Sequence, residues 1–259
     1  YSVVITDGEG CTISATYTID EATDVVLTGT GVDPTCNGGG DGSVTVSASG
    51  GVSPYSYTNG GAAQSSPTFS GLSAGAQVII VTDAAGCTET VTITLVNPAA
   101  VVAATALVSN VSCNGLSDGS ASASATGGVG AYTYDWDNGE TGATATNLAV
   151  GTHTVTATDA NGCTATQTVA ITEPVALSVA TAVDQDVSCN GGIDGGATAT
   201  ASDGTATYTY VWSNGETGAS ATALSVGQHS VTATDANGCT ATQTVIITEP
   251  AALTLSGVV

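Results

Sequence analysis

The chain has 259 residues, 42% of them hydrophobic and only 8% charged, with 22 Asp plus Glu, two His and no Lys or Arg. The formal net charge of -22 excludes partners that need protein cations: nucleic acid, whose phosphates must be neutralised, and an anionic membrane surface. Cationic partners, divalent ions above all, are favoured instead, because a wholly acidic surface repels itself. No apolar run approaches the ~20 residues of a membrane helix, so direct membrane insertion is not expected. No initiator Met, signal peptide or sorting tail is visible, and the sequence reads as the interior of a longer chain. Seven regularly placed Cys point to an oxidising, extracellular setting.

Self-similarity dominates the chain order. Cys11, Cys87, Cys163 and Cys239 recur every 76 residues, while Cys36, Cys113 and Cys189 are spaced by 77 and 76. Tyr1 is in phase with Gln77 and His153, so residues 1–24 are expected to be the last two strands of a preceding repeat. Three whole immunoglobulin-like repeats follow, at 25–98, 99–174 and 175–250, and 251–259 is expected to be the first strand of another. The first landmark of each whole repeat is a Cys-Asn-Gly-x-x-Asp-Gly turn (36–42, 113–119, 189–195). Paired tyrosines follow (Tyr55/Tyr57, Tyr132/Tyr134, Tyr208/Tyr210), then a Thr-Asp-Ala-x-Gly-Cys hairpin ending at Cys87, Cys163 or Cys239. Ile-Thr-Glu-Pro closes the second and third repeats, and Leu95-Val96-Asn97-Pro98 stands there in the first.

Within a repeat the apolar residues alternate with period two, the mark of half-buried strands. Val91, Ile93 and Leu95 share one face and Thr90, Thr92 and Thr94 the other; Val169 with Ile171 and Val245 with Ile247 repeat the pattern. Ile79 with Val81, Val155 with Ala157 and Val231 with Ala233 point inward, and Asp-Ala-Asn-Gly at 159–162 and 235–238 is a hairpin signal. The expectation is all-β: about seven short strands per repeat in a tandem immunoglobulin-like β-sandwich of about 76 residues. So small a core calls for a staple, and one disulfide inside each repeat is the economical assignment: Cys36–Cys87, Cys113–Cys163 and Cys189–Cys239, with Cys11 pairing upstream of this sequence. Each closes a loop of about 50 residues, worth roughly 4 kcal/mol in the chain-entropy model. Pairing across a junction, such as Cys87 with Cys113, and a free Cys11 thiol are the alternatives. Trp136 and Trp212 share a parity with the tyrosines before them and should fill the core. The first repeat lacks the Trp, and Phe69 is expected to refill that volume; the other reading is an exposed Phe in a variable loop.

The landmarks resemble the SprB repeat family of large Bacteroidetes surface proteins. The resemblance rests on Val-Ser-Cys-Asn-Gly-x-x-Asp-Gly (111–119, 187–195), Tyr-x-Tyr-x-Trp-x-Asn-Gly-Glu-Thr-Gly-Ala (132–143, 208–219) and Val-Gly-x-His-x-Val-Thr-Ala-Thr-Asp-Ala-Asn-Gly-Cys (150–163, 226–239). The first repeat departs from it, with Pro34-Thr35-Cys36, no Trp and Ala85 in place of the turn Asn. The resemblance implies export by the type IX route to the surface of a Gram-negative bacterium, and a filament or mobile adhesin serving gliding or attachment. Expected partners are neighbouring repeats of the same chain, lateral self-association and surface polysaccharide. The array reads as a structural shaft, and a multivalent carbohydrate- or surface-binding module and a fibre subunit polymerising by strand donation are the alternatives.

No cofactor is required, and calcium is the one candidate. If each disulfide lies at one end of its own sandwich, the loops bearing Asp118 and Asn114 lie beside Asp159, and those bearing Asp194 and Asn190 beside Asp235. These oxygens suit part of a hard-cation shell; turn capping by the same side chains is the competing account. Asp41 and Asp83 hold the equivalent places in the first repeat. The outward threonines (Thr88, Thr90, Thr92, Thr94) read as solvated strand residues rather than an ice-binding face. His153 and His229 read as exposed strand residues, since neither has the companions of a metal or catalytic site. Asn110-Val111-Ser112 fits a glycosylation acceptor. An enzyme is not expected: there is no phosphate loop with its Lys, and Glu140 and Glu216 sit in open turns without the facing carboxylate of a glycosidase.

Overall fold

A computed structural model describes residues 1–19, 21 and 23–257. Residues 20, 22, 258 and 259, which fall in the expected end segments 1–24 and 251–259, lie outside the described residues. Strand is the only regular element among the described residues. The chain divides into two compact units, one of residues 1–101, 127–130 and 159–163 and one of 102–126, 131–158 and 164–259.

In the first unit, β1 (Ser2–Thr6) and β2 (Thr12–Thr16) form an antiparallel hairpin. The first repeat follows, with β3 (Val26–Val32), β4 (Gly42–Ser49), β5 (Ser56–Thr58), β6 (Thr68–Leu72), β7 (Gly75–Thr82) and β8 (Thr88–Leu95). These make two three-stranded antiparallel sheets, β3-β4-β6 and β5-β7-β8. Their inner faces enclose one core, in which Val44, Val46, Ile79, Val81 and Leu95 are buried.

The second unit repeats this twice. β9 (Val102–Ser109), β10 (Gly119–Thr126) and β12 (Thr144–Leu148) face β11 (Thr133–Trp136), β13 (Gly151–Thr158) and β14 (Thr164–Ile171). β15 (Ser178–Gln185), β16 (Gly195–Ser202) and β18 (Ser220–Leu224) face β17 (Thr209–Trp212), β19 (Gly227–Thr234) and β20 (Thr240–Ile247). The topology is that of an immunoglobulin-like sandwich without its fourth strand. The repeat therefore has six strands, not seven. Residues 59–67 turn back after β5 through a single bridge, Tyr57–Gln64, and Asp135–Thr141 and Val211–Thr217 do the same in the later repeats. Residues 251–257 carry no strand.

The cores balance volume between repeats. Val44 lies opposite Phe69, whereas Ala121 lies opposite Ala145 and Ala197 opposite Ala221. The two alanine pairs leave room for an indole, and Trp136 and Trp212 are buried in those cores. Each indole N–H donates to a backbone carbonyl, Gly142 at 3.0 Å and Gly218 at 3.1 Å, so its polar edge is satisfied. The first repeat has Asn59 at the Trp position, and Phe69 is buried with 7% exposure. Large-to-small changes in a close-packed core cost the lost transfer energy plus the cavity. Phe69→Ala should therefore destabilise the first repeat by about 3–5 kcal/mol, and Ala145→Gly the second by far less. Native-state hydrogen exchange at the β4 and β7 amides, compared with β10 and β13, reads the two repeats separately.

Candidate functional site

The Cys-Asn-Gly-x-x-Asp-Gly turn leads from the first strand of a repeat into the second, and each of its recurring residues has a structural task. Gly38, Gly115 and Gly191 have φ of 73°, 80° and 81°, a left-handed conformation that suits glycine. The second glycine answers a different need: a Cβ at Gly119 would meet Ile171 at 2.7 Å and the Leu148 carbonyl at 2.8 Å. Between them, Asp118 accepts the Ser112 N–H at 2.9 Å and the Ser112 hydroxyl, and Asp194 does the same with Ser188. Asp41 does so with Thr35.

The same turn grips the end of its own repeat. Asn114 Nδ2 donates to the Pro174 carbonyl at 3.2 Å, and the Gly115 N–H donates to Glu173 Oε2 at 2.7 Å. Asn190 and Gly191 hold Pro250 and Glu249 in the same way, at 3.2 and 2.7 Å. In the first repeat Asn37 donates to the Pro98 carbonyl at 2.9 Å, and Asn97 replaces the glutamate by accepting the Gly38 N–H at 3.0 Å. The Glu-Pro junction is thus clamped to the turn, a role the sequence marked only by co-occurrence.

The hairpin before the second Cys is built around a buried aspartate. Asp159 Oδ1 accepts the Asn161 and Cys163 N–H groups, both at 2.9 Å, and Oδ2 accepts that of Val129 at 2.8 Å. Asp83 is held by Ala85, Cys87 and Val52, and Asp235 by Asn237, Cys239 and Thr205. The Val52, Val129 and Thr205 amides are the chief reason these three carboxyls sit below the ordinary value of 3.8, with burial opposing.

The disulfides correct the expected pairing. Cys36 is bonded to Cys163 and Cys113 to Cys239, each with a Cα–Cα distance of 5.6 Å and with sequence separations of 127 and 126. Cys36–Cys87, Cys113–Cys163 and Cys189–Cys239 do not form, and Cys11, Cys87 and Cys189 are free and exposed. The reason is the position of the two loops in one repeat. In the first repeat the turn lies beside the end of β8, where Asp33 accepts the Val96 N–H at 2.7 Å and Gly38 meets Asn97. Cys87 immediately precedes the start of β8. An eight-residue strand spans roughly 27 Å, whereas a disulfide spans at most about 7 Å between Cα atoms. Turn and hairpin are at opposite ends of one sandwich, so the first two turns take the hairpin of the next repeat. The side chain of the hairpin Asn joins in. Asn161 Nδ2 donates to the Thr35 carbonyl at 3.4 Å and Asn237 Nδ2 to that of Ser112 at 3.0 Å.

This pairing also separates the residues considered for calcium. The Asp118 and Asn114 turn is bonded to the Asp235 hairpin, and the Asp159 hairpin to the Asp41 turn. Asp118, Asp159, Asp194 and Asp235 spend their oxygens on backbone N–H and hydroxyl groups, and the amides of Asn114 and Asn190 on proline carbonyls. Among the described residues no group of three or more His, Cys, Asp or Glu is placed to hold a metal ion.

His153 is half-buried, not exposed. Its Nδ1 meets Asp137 Oδ1 at 3.0 Å and its Nε2 the Ala149 carbonyl at 2.9 Å. Burial opposes its charge, but the Ala149 carbonyl and the Asp137 carboxylate outweigh it and raise its pKa above 6.5. His229 meets Ser213 and the Ser225 carbonyl in the same places. Glu140 braces its turn by accepting the Thr146 N–H at 2.8 Å, and this amide above all lowers its pKa, the reverse of what a general acid requires. Asn110 accepts the Thr172 N–H at 2.9 Å, so the glycosylation signal falls on a residue engaged in the fold.

The three turns and the strands that flank them carry the match to known proteins: the SprB repeat family matches residues 28–62, 105–141 and 181–217. These are SprB repeats. SprB repeats belong to cell-surface proteins, and the cystines suit an oxidising extracellular space. The chain is accordingly a repeat-containing surface protein whose repeats are of a non-catalytic kind. No curated protein matches it. Among solved structures, three N-terminal domains of the bacteriophage RB49 Hoc capsid protein align with 89% of this chain and 100% of theirs, at 13% identity and a TM-score of 0.36. The N-terminal eight Ig domains of the Down syndrome cell adhesion molecule align over 96% of this chain and 39% of theirs, at 11% identity and a TM-score of 0.37. Cadherin domains 3–6 of protocadherin gamma B2 align over 96% and 84%, at 16% identity and a TM-score of 0.31.

The hairpin aspartates of the SprB repeats set an acid limit. A carboxyl whose pKa is depressed on folding stabilises fully above its ordinary value, here 3.8, and loses that contribution as the pH falls through the folded value. Melting temperature should therefore fall below about pH 4. Asp235→Asn should melt lower at pH 7, and its deficit should shrink as the pH drops. Thermal melts between pH 2 and 7 check both, and a deficit of constant size would contradict the account.

Proposed function

We propose that this chain is part of the load-bearing shaft of an extracellular surface fibre or adhesin that supports attachment or gliding, with specific binding carried elsewhere. The observation that carries the proposal is that its two disulfides join successive repeats and overlap. The 36–163 bond spans Cys113, and the 113–239 bond spans Cys163. A staple inside a repeat protects that repeat alone; overlapping bonds pass tension from one repeat to the next even after a core has opened. The clamp of Asn114 and Gly115 on Glu173–Pro174 also resists fraying at the junction.

The covalent arithmetic is testable. With both bonds intact, the shortest path from Cys36 to Cys239 runs through Cys163 and back to Cys113, roughly 50 residues, or about 180 Å when fully extended. After reduction the path is the whole intervening chain, about 200 residues and about 700 Å. Single-molecule pulling on the 259-residue chain adds about 55 residues outside Cys36 and Cys239 to both paths, so reduction should lengthen the extended chain roughly 2.5-fold. A chain that opens to the same length with and without reductant would remove the case for a shaft.

A second reading, a multivalent carbohydrate-binding surface, is supported by a groove repeated in two repeats. Tyr132, Tyr134 and residues 141–143 line it in one, and Tyr208, Tyr210 and residues 217–219 in the other. Half-buried tyrosines with polar neighbours suit stacking on sugar rings, and copies in series would multiply weak affinity. Retention on insoluble polysaccharide that disappears in Tyr134→Ala/Tyr210→Ala would favour this reading, and no retention by the native chain would dismiss it.

A further inference from the structure

Two of the three Cys-Asn-Gly turns are occupied by a hairpin and the third is open. The turn at Ser112–Cys113 receives Cys239 and the Asn237 side chain, and that at Thr35–Cys36 receives Cys163 and Asn161. At Ser188–Cys189 the thiol is free and exposed. The open turn is nevertheless built like the occupied ones. Asp194 accepts the Ser188 N–H at 3.1 Å, Asn190 holds Pro250 and Gly191 holds Glu249, with the distances of the Asn114 turn. The site is preorganised, so docking would cost it little order.

We propose that the Ser188–Cys189 turn is the docking site for an Asp-Ala-Asn-Gly-Cys hairpin of another SprB repeat, held by a disulfide to Cys189 and by the hairpin Asn on the Ser188 carbonyl. The surroundings identify the partner. Beside the turn is a concave surface walled by Ser188, Cys189, Asn190 and residues 250–253. Leu253 in that segment and Leu255 just beyond it are fully exposed, while Leu177 and Val179, each 76 residues earlier, pack into the core of the third repeat. The segment thus presents the side chains that open a repeat core, and the fitting occupant is a repeat of this kind. The first repeat's own hairpin carries Ala85 where Asn161 and Asn237 stand, so it has the thiol for a clasp and lacks the amide. Asn-bearing hairpins are the preferred donors.

Formation of the bond is a thiol–disulfide exchange with a disulfide oxidant, such as glutathione disulfide or an oxidised dithiol protein. The Cys189 thiolate attacks the oxidant and releases one of its thiols; the hairpin thiolate then displaces the second. Two protein thiols lose two electrons and two protons, and the oxidant leaves as two thiols. In an array bonded throughout in this register, segments such as 163–189 become continuous ties of about 26 residues, one for every two repeats. Such a tie limits two repeats to about 90 Å of extension, against about 530 Å unbonded.

The test extends the chain by one repeat, copying residues 175–257 after Pro250, oxidised in a glutathione buffer and mapped as non-reduced peptides. The expected product joins Cys189 to the appended hairpin Cys and leaves the appended turn Cys free. The appended hairpin joined to its own turn, or Cys189 left unlinked, overturns the proposal. The unextended chain tests the amide independently. Asn237→Ala should raise the equilibrium constant for reduction of Cys113–Cys239 by about 2- to 10-fold, the worth of one ordinary hydrogen bond, and an unchanged constant overturns the role given to Asn. The pulling experiment on the unextended chain does not involve Cys189, so failure here and failure of the shaft are distinguishable.

Discussion

The feature on which the rest depends is the length of the last strand of each repeat. β8, β14 and β20 are each eight residues long, and they separate the hairpin Cys from the turn Cys by far more than a disulfide can bridge. A repeat that carries one Cys at each end of its sandwich cannot staple itself. It can only offer its turn to one neighbour and its hairpin to another. Inter-repeat bonding is therefore a consequence of strand length and cysteine position, and it needs no special chemistry at the sulfur atoms.

Around that constraint the turn acts as a hub. A handful of residues meet three demands at once: the left-handed Gly115 makes the bend, Gly119 lets the chain pass against Ile171 and Leu148, and Asn114 with the Gly115 amide holds the Glu-Pro junction. Each small core is closed by its own six strands, so folding of a repeat and linkage of repeats are separate tasks. Loss of a cystine weakens the connection, and loss of a core residue such as Trp136 weakens one repeat.

Much of the fold was legible because it rests on local periodicity. Alternation placed Ile79, Val81, Leu95, Val155 and Ile171 inward, and all are buried; the missing Trp of the first repeat pointed to Phe69. The strand count was off by one because residues 59–67, where the seven-stranded topology would place its fourth strand, pair only through the single Tyr57–Gln64 bridge. The cysteine partners were illegible for a deeper reason. Spacing reports how far apart two residues are along the chain, not which end of a sandwich each occupies, and the shorter loop looks more economical. The one available signal was the shared eight-residue strand between each hairpin Cys and the closing Asn-Pro or Glu-Pro. Counted at roughly 3.3 Å per residue, that strand alone is too long for the short loop to close. The same error carried over to the calcium residues, since Asp118 and Asp159 were neighbours only if Cys113 and Cys163 were.

A chain without Lys or Arg must still stabilise the carboxylates it folds over, and the hairpins show how. Asp83, Asp159 and Asp235 are buried, and each is surrounded by three backbone N–H groups in place of a cation. Converging backbone amides form an anion-binding concavity that is fixed by the turn itself, so the charge is balanced without a second side chain that would have to be ordered. The turn aspartates use a Ser or Thr residue in the same spirit. Burial alone would push these carboxyls toward protonation; the amides reverse the sign. The acidic composition is therefore compatible with a well-ordered fold because backbone dipoles, available in every sequence, take over the work that basic side chains do elsewhere.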